Sequence, residues 1–170
     1  MPSKWTLRQP VGLALKLAAA LSFLAPLATR LVIGQAFVAT GRGKLEHFQR
    51  TVDFFSSLGI PLPELNAAFV SRLEFYGGIL LILGLGTRLV ASGLVGSMVV
   101  ALITADREAV LGALRGTSDA GLTDVVPVVF LLLLGWLVLQ GPGLASLDRL
   151  LFGRLAGEGN TSRPPAAGAA

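Results

Sequence analysis

Two ionisable residues interrupt apolar stretches of this sequence and are the first candidates for chemistry. Arg30 lies inside an apolar run over residues 17–41, and Glu74 lies inside a second run over residues 67–86. An ionised side chain at membrane depth costs about 2.5 to 3.5 kcal/mol on insertion scales, so such residues usually face the interior of a helix bundle and find partners. Counted inward from residues 41 and 67, Arg30 lies about 16 Å deep and Glu74 about 10 Å deep. We therefore predict that Arg30 and Glu74 form a charge pair between two helices, with or without a ligand or water between them.

The predicted pair of Arg30 and Glu74 has two alternative roles. It either fixes the registry of two helices, as buried ion pairs sometimes do, or it forms a ligand-binding or proton-handling site. Gly77 and Gly78 lie one turn below Glu74 and leave a similar choice open. They either permit close packing of helices or make room for a flat ring.

The other polar residues give weaker signals. His47 is the only histidine, and it is either a solvated residue or a haem ligand or proton relay. Four carboxylates follow the third apolar run, at Asp106, Glu108, Asp119 and Asp124. Their spacing fits no ligand loop, so we predict a solvated loop and no metal site. The chain has no cysteine, which excludes disulfides, thiolate catalysis and zinc bound by cysteine.

The elements that carry these residues are predicted from composition and hydropathy. Of 170 residues, 53% are hydrophobic and 14% charged, with a mean hydropathy of +0.72, which is typical of a membrane protein. Four apolar runs, each of about 17 to 25 residues, are long enough to cross a bilayer as helices. They cover about residues 17–41, 67–86, 89–105 and 121–140. We predict an all-α polytopic membrane protein, a bundle of four transmembrane helices with no large domain outside the membrane.

The segment between the first two runs, residues 42–66, is polar and carries apolar residues at helical spacing. These are Leu45, Phe48, Val52, Phe55 and Leu58. Such a pattern is typical of an amphipathic helix that lies on the membrane surface. In the third run, a stripe of small residues at Gly93, Ser97 and Ala101 predicts close approach of another helix.

The basic residues indicate topology. The net charge is +4, but these residues are spread along the chain, so we predict no nucleic-acid partner. The side that bears both termini collects seven basic residues against five on the other, which places the termini in the cytoplasm and the protein in a bacterial inner membrane. Residues 1–24 are predicted as an interfacial lead-in, with a cleaved signal peptide as the alternative, and residues 154–170 as a disordered tail.

Several short motifs resemble one known family. The first helix contains Arg30-Leu31-Val32-Ile33-Gly34, followed by Phe37, Gly41, Gly43, Lys44 and Leu45. The later ones include Phe55, Leu58-Gly59-Ile60-Pro61, Pro63, Glu74, Gly77-Gly78, Leu81, Gly84-Leu85, Thr87-Arg88, Gly141-Pro142-Gly143-Leu144 and Ser146-Leu147-Asp148. In combination they resemble the DoxX family of small bacterial and archaeal membrane proteins. The resemblance covers about residues 25–153, the predicted membrane domain.

The resemblance implies a four-helix membrane bundle and a link to oxidoreductase systems. Family members are associated with electron transfer from thiosulfate to quinone and with complexes that handle thiol and oxidative stress. We therefore predict a membrane subunit with no intrinsic cofactor that provides a quinone or small-molecule pocket between helices one and two. Arg30, Glu74, Gly77 and Gly78 would line this pocket, and Lys44 would steer an anionic substrate. The alternatives are a non-catalytic anchor or assembly factor for a partner protein, with a homo-oligomer also open, or a transporter of a small solute.

Overall fold

A computed structural model describes residues 21, 23–117, 119, 121–143 and 146–148 of the chain. The predicted lead-in therefore lies outside the described residues apart from positions 21, 23 and 24. The predicted tail over residues 154–170 lies wholly outside them.

Within the described ranges, the regular elements are six α-helices and one short 3-10 helix. They are α1 (Leu24–Glu46), α2 (Phe48–Ser57), α3 (Pro63–Leu83), α4 (Thr87–Ile103), α5 (Arg107–Arg115), the 3-10 helix (Leu122–Asp124) and α6 (Val126–Gln140). This confirms the predicted all-α class.

The number of membrane spans is established only in part. By length and hydropathy, α1 and α3 can each cross a membrane. Helices α4 and α5 qualify only together, with a bend of 72° between them, and α6 is a shorter apolar helix of 15 residues. The described part of the chain thus contains two candidate spans, or three if the bent pair counts as one, and the predicted total of four stays a prediction.

Helices α1 and α3 pack against each other in opposite directions, and glycines make the contact close. A Cβ atom on Gly34 would lie 2.8 Å from the carbonyl oxygen of Gly78, and one on Gly41 would meet the backbone of Phe75. Because only glycine leaves room for backbones at this separation, these positions fix the register of the two helices. Gly41 is level with the peptide between Glu74 and Phe75, and Gly34 lies between the levels of Gly78 and Ile82.

The segment after the first predicted run folds differently from its prediction at one point. Helix α1 continues past Gly41 to Glu46, so Lys44 belongs to α1 and not to the amphipathic helix. The amphipathic helix itself is α2, which buries Thr51 and Phe55 and exposes about half of Phe54. Its position on a membrane surface remains a prediction.

The core lies where α1, α3, α4 and α6 meet. Phe37 of α1 contacts Phe130 of α6 edge to face, with ring centroids 5.3 Å apart. The fully buried apolar side chains around this contact are Ile33, Leu81, Ala91, Leu94, Leu134 and Leu137. This core holds the polar residues of α1 and α3 at fixed positions along the bundle.

Candidate functional site

Glu74 is buried in the bundle and is bound by two residues of α1. Its side chain is 1% exposed, and the Lys44 ammonium donates to both of its carboxylate oxygens at 2.5 Å. The Thr40 hydroxyl donates to Glu74 Oε2 at 3.1 Å. We call Thr40, Lys44 and Glu74 the Lys44–Glu74 site, and the end of the bundle where α1 ends and α3 begins the Lys44 end.

Local sequence explains how α1 presents both donors to Glu74. Thr40 and Lys44 are four residues apart, so their side chains lie on one face of the helix. Gly41 lies between them and allows the α3 backbone to approach at the level of Glu74. Lys44 keeps 31% of its side chain exposed, so it connects the buried carboxylate with the surroundings of the bundle.

The predicted pairing of Arg30 with Glu74 is wrong. The Arg30 guanidinium lies against Gly84, where it occupies the space that a side chain would need. Since Gly41 is level with Glu74, Arg30 lies eleven residues earlier in α1, about 16 Å away at the usual helical rise. The depths counted from the ends of the apolar runs were misleading because α1 continues beyond residue 41. The glycine contacts, and not the ends of the runs, determine the register of α1 against α3.

Arg30 instead belongs to a cluster at the opposite end of the bundle. Asp148 accepts hydrogen bonds from the backbone amides of Gly86 and Thr87 at 2.7 and 3.1 Å, and its own amide donates to the Gly84 carbonyl at 3.0 Å. The Asp148 carboxylate thus caps the start of α4, and the Arg30 guanidinium lies beside it against Gly84. We call these five residues the Asp148 cluster.

A cavity of about 370 Å³ lies beside the Lys44–Glu74 site, between α2, α3 and α4. This volume is in the range of small-molecule sites, which are mostly apolar with a few polar groups. Lys44 and Glu74 are its charged lining residues. The other lining residues are Phe54, Phe55, Leu58, Ile60, Asn66, Phe69, Val70, Leu73, Gly93, Gly96, Ser97, Met98, Val100, Ala101, Thr104 and Ala105.

The position of this cavity corrects the predicted pocket between helices one and two. Those spans correspond to α1 and α3, whose backbones meet at Gly34, Gly41 and Gly78 and leave no space for a ligand at these positions. Of the five predicted ligand residues, Lys44 and Glu74 line the cavity, whereas Arg30, Gly77 and Gly78 do not.

The two glycines below Glu74 serve helix packing. A Cβ atom on Gly77 would lie 3.2 Å from Val90 of α4, and one on Gly78 would lie 2.6 Å from the Gly34 carbonyl of α1. Their positions favour the packing interpretation over room for a flat ring. His47 is exposed, with Nδ1 3.1 Å from the Gly43 carbonyl.

The stripe of small residues on α4 contributes to the cavity, which the sequence did not reveal. Gly93, Ser97 and Ala101 all line it, together with Gly96. A Cβ atom on Gly93 would lie 3.3 Å from Leu73, whereas one on Gly96 would have no neighbour within 4 Å. Small residues at four-residue spacing permit either close packing or an open wall, and the tertiary structure decides between the two.

The site can bind and orient a polar group at the edge of an apolar space. Lys44 offers N–H donors, and the Glu74 carboxylate accepts hydrogen bonds or takes a proton. Burial makes each of these interactions stronger than it would be in water. The arrangement therefore suits a lipophilic molecule that carries a carbonyl or hydroxyl group.

Comparisons with known proteins agree with the resemblance noted in the sequence. The sequence model of the DoxX family matches residues 25–107. A curated relative named "Putative oxidoreductase CatD", from Bacillus subtilis (strain 168), is 33% identical over 75 residues, which cover 44% of this chain and 54% of the relative. The chain thus spans about half the length of the curated relative that it matches. No solved structure matches it at a significant level. The chain therefore carries a DoxX family region over residues 25–107, and this region contains the whole Lys44–Glu74 site and every residue that lines the cavity.

Proposed function

We propose that the protein is a membrane subunit of an oxidoreductase system, and that its cavity binds a quinone or a similar lipophilic small molecule. One observation carries the proposal: the buried Glu74 carboxylate and its partner Lys44 lie on the wall of an otherwise largely apolar cavity of about 370 Å³. The printed name of the Bacillus subtilis relative supports the oxidoreductase context.

The lining residues supply the contacts that a quinone ring needs. Phe54, Phe55 and Phe69 provide aromatic surface, which favours stacked or edge contacts with a flat ring. Lys44 would donate a hydrogen bond to a quinone carbonyl, and Glu74 would accept one from the hydroxyl of the reduced form. Lys44 thus takes the place beside Glu74 in the pocket that the sequence had assigned to Arg30.

The first test compares quinone binding to the native protein with binding to a variant in which a larger side chain fills the cavity. Gly96→Phe would fill open space on the cavity wall, and Gly135→Phe is the matched control, because Gly135 also has no neighbour within 4 Å but lies on α6 outside the cavity. With a short-chain ubiquinone as the probe, we expect Gly96→Phe to weaken binding at least about tenfold, since binding requires the empty volume. The control should bind like the native chain.

The second test is chemical analysis of the purified protein. Protein isolated in mild detergent should retain quinone, detected by lipid extraction and absorption spectroscopy, and the Gly96→Phe variant should retain less. Equal quinone content in both glycine variants would contradict the proposal. A co-purified protein without any bound small molecule would favour the anchor or assembly alternative.

A further inference from the structure

Arg72 is a cation on the outer surface of α3 at the Lys44 end. It lies two residues before the buried Glu74, but its own side chain is exposed. Its guanidinium Nη1 donates to the Ala68 carbonyl at 3.0 Å, one turn back toward the start of the helix. Among the described residues, no carboxylate forms an ion pair with Arg72. The guanidinium therefore has donors left for a group outside the chain.

A shallow groove surrounds this side chain, between α2 and α3. Its volume is about 700 Å³, and Glu64 and Arg72 are its charged lining residues. The other lining residues are Phe48, Val52, Leu62, Pro63, Leu65 and Ala68. None of these residues lines the cavity beside Glu74, so the groove is a separate site.

The two charges of the groove lie in a fixed order along α3. Glu64 is in the first turn of the helix, and the Arg72 guanidinium reaches the level of Ala68. The carboxylate is therefore nearer the helix start, and the cation lies about 6 Å deeper, which is one helical turn. An arginine that bends back toward the helix start is typical of a side chain that reaches the polar region of a bilayer.

We propose that this groove binds the head group of a phospholipid with a primary ammonium, such as phosphatidylethanolamine, from the leaflet at the Lys44 end. The lipid phosphate would accept hydrogen bonds from Arg72, and the lipid ammonium would donate to Glu64. In such a lipid the phosphate lies nearer the membrane core than the ammonium, which matches the order of the two protein charges. Two hydrogen bonds of about 2.8 Å and the two-carbon link of the head group together reach further than this axial separation, so one bent head group can contact both charges.

The two charges of the groove also disfavour two other common head groups. Phosphatidylglycerol would offer Arg72 its phosphate but has no cation for Glu64. Phosphatidylcholine has a trimethylammonium, which carries no N–H group and cannot donate a hydrogen bond to the carboxylate. Of these three head groups, only the one with a free ammonium offers each charge of the groove an oppositely charged hydrogen-bonding partner.

Native mass spectrometry of the full chain with defined lipids tests this proposal without any mutation. With equal amounts of the three lipids, we expect the native protein to retain phosphatidylethanolamine about tenfold more than phosphatidylcholine, because charge-assisted hydrogen bonds are the strong ones. Phosphatidylglycerol should also be retained less. Equal retention of all three lipids, or a preference for phosphatidylglycerol, would overturn the proposal.

Two variants assign the effect to the groove. Arg72→Gln should reduce retention of phosphatidylethanolamine about tenfold, and Glu64→Gln should remove the preference for it over phosphatidylcholine. Arg42→Gln is the charge-matched control, because Arg42 also lies at the Lys44 end but pairs with Glu46 and does not line the groove. Equal lipid retention in Arg72→Gln and Arg42→Gln would show that the groove does not bind the phosphate.

Discussion

The two ends of the bundle each hold a buried charge of α1 or α3, and they differ in what that charge contacts. At the Lys44 end, Glu74 is bound by the side chains of Thr40 and Lys44, next to an open cavity. At the other end, Arg30 lies in the crowded Asp148 cluster, and Asp148 itself binds the backbone of the turn between α3 and α4. The difference teaches that a charge at membrane depth is a candidate for function only where space for a ligand lies beside it.

Further contacts at the end of the bundle that holds the Asp148 cluster connect three helices. Arg88 donates to the Leu139 carbonyl at 3.3 Å, and its guanidinium lies beside Gly141. A Cβ atom on Gly143 would lie 2.8 Å from Pro26 of α1. These contacts join the end of α6 to the starts of α1 and α4, so we expect changes here to alter stability before they alter binding.

The largest effect that would separate the two ends is expected at Gly84. Its φ of +68° and the Arg30 guanidinium beside it leave no place for a side chain. Gly84→Ala should lower the free energy of unfolding by about 3 kcal/mol, from backbone strain and overpacking together. Gly86→Ala is the matched control, since Gly86 has a φ of +58° but no neighbour within 4 Å, and it should cost only about 1 kcal/mol from strain. Thermal unfolding in detergent measures both, and equal losses would show that Arg30 does not fill this space.

The next largest effect is expected in the Lys44–Glu74 site, and it should be asymmetric. Lys44→Met would leave Glu74, which is 1% exposed, without its counter-charge and should destabilise the protein by about 2 to 3 kcal/mol. Glu74→Gln should cost about 1 kcal/mol, because Lys44 is already 31% exposed and can turn toward water. Both variants should weaken quinone binding.

The same two variants form a double-mutant cycle, and the distant pair of Arg30 and Glu74 provides its control. Lys44→Met combined with Glu74→Gln should cost at least about 1 kcal/mol less than the two single losses added together. Arg30→Leu combined with Glu74→Gln should be additive within about 0.5 kcal/mol, because these residues lie far apart. Additivity for Lys44 and Glu74 would mean that they do not form the pair.

The smallest effect is expected for Asp148→Asn. Asparagine keeps one acceptor oxygen for the amides of Gly86 and Thr87 but loses the negative charge at the start of α4. We expect a loss of about 1 kcal/mol in the free energy of unfolding. Quinone binding per folded protein should stay unchanged, as measured by titration of the native and variant proteins. A selective loss of binding at full stability would contradict the division between the two ends.

The sequence was sufficient to predict the features that depend on local patterns. Hydropathy predicted α1, α3, α4 and α6 within the described part of the four apolar runs, and the spacing of Phe48, Val52 and Phe55 predicted the amphipathic α2. The cost of buried charge correctly marked Arg30 and Glu74 as residues that need partners, because that cost depends only on residue type and the surrounding hydropathy.

The choice of partners and the place of the cavity depended on tertiary structure. Glycine contacts between α1 and α3 set a register in which Lys44, and not Arg30, reaches Glu74. The small residues of α4 line the cavity because no side chain packs against Gly96, where an added Cβ atom would have no neighbour within 4 Å. Hydropathy predicts which segments are helices, but it carries no information on how far one helix is shifted along another. A shift of a few residues changes which charges meet, and here only the packing of backbone against backbone determined it.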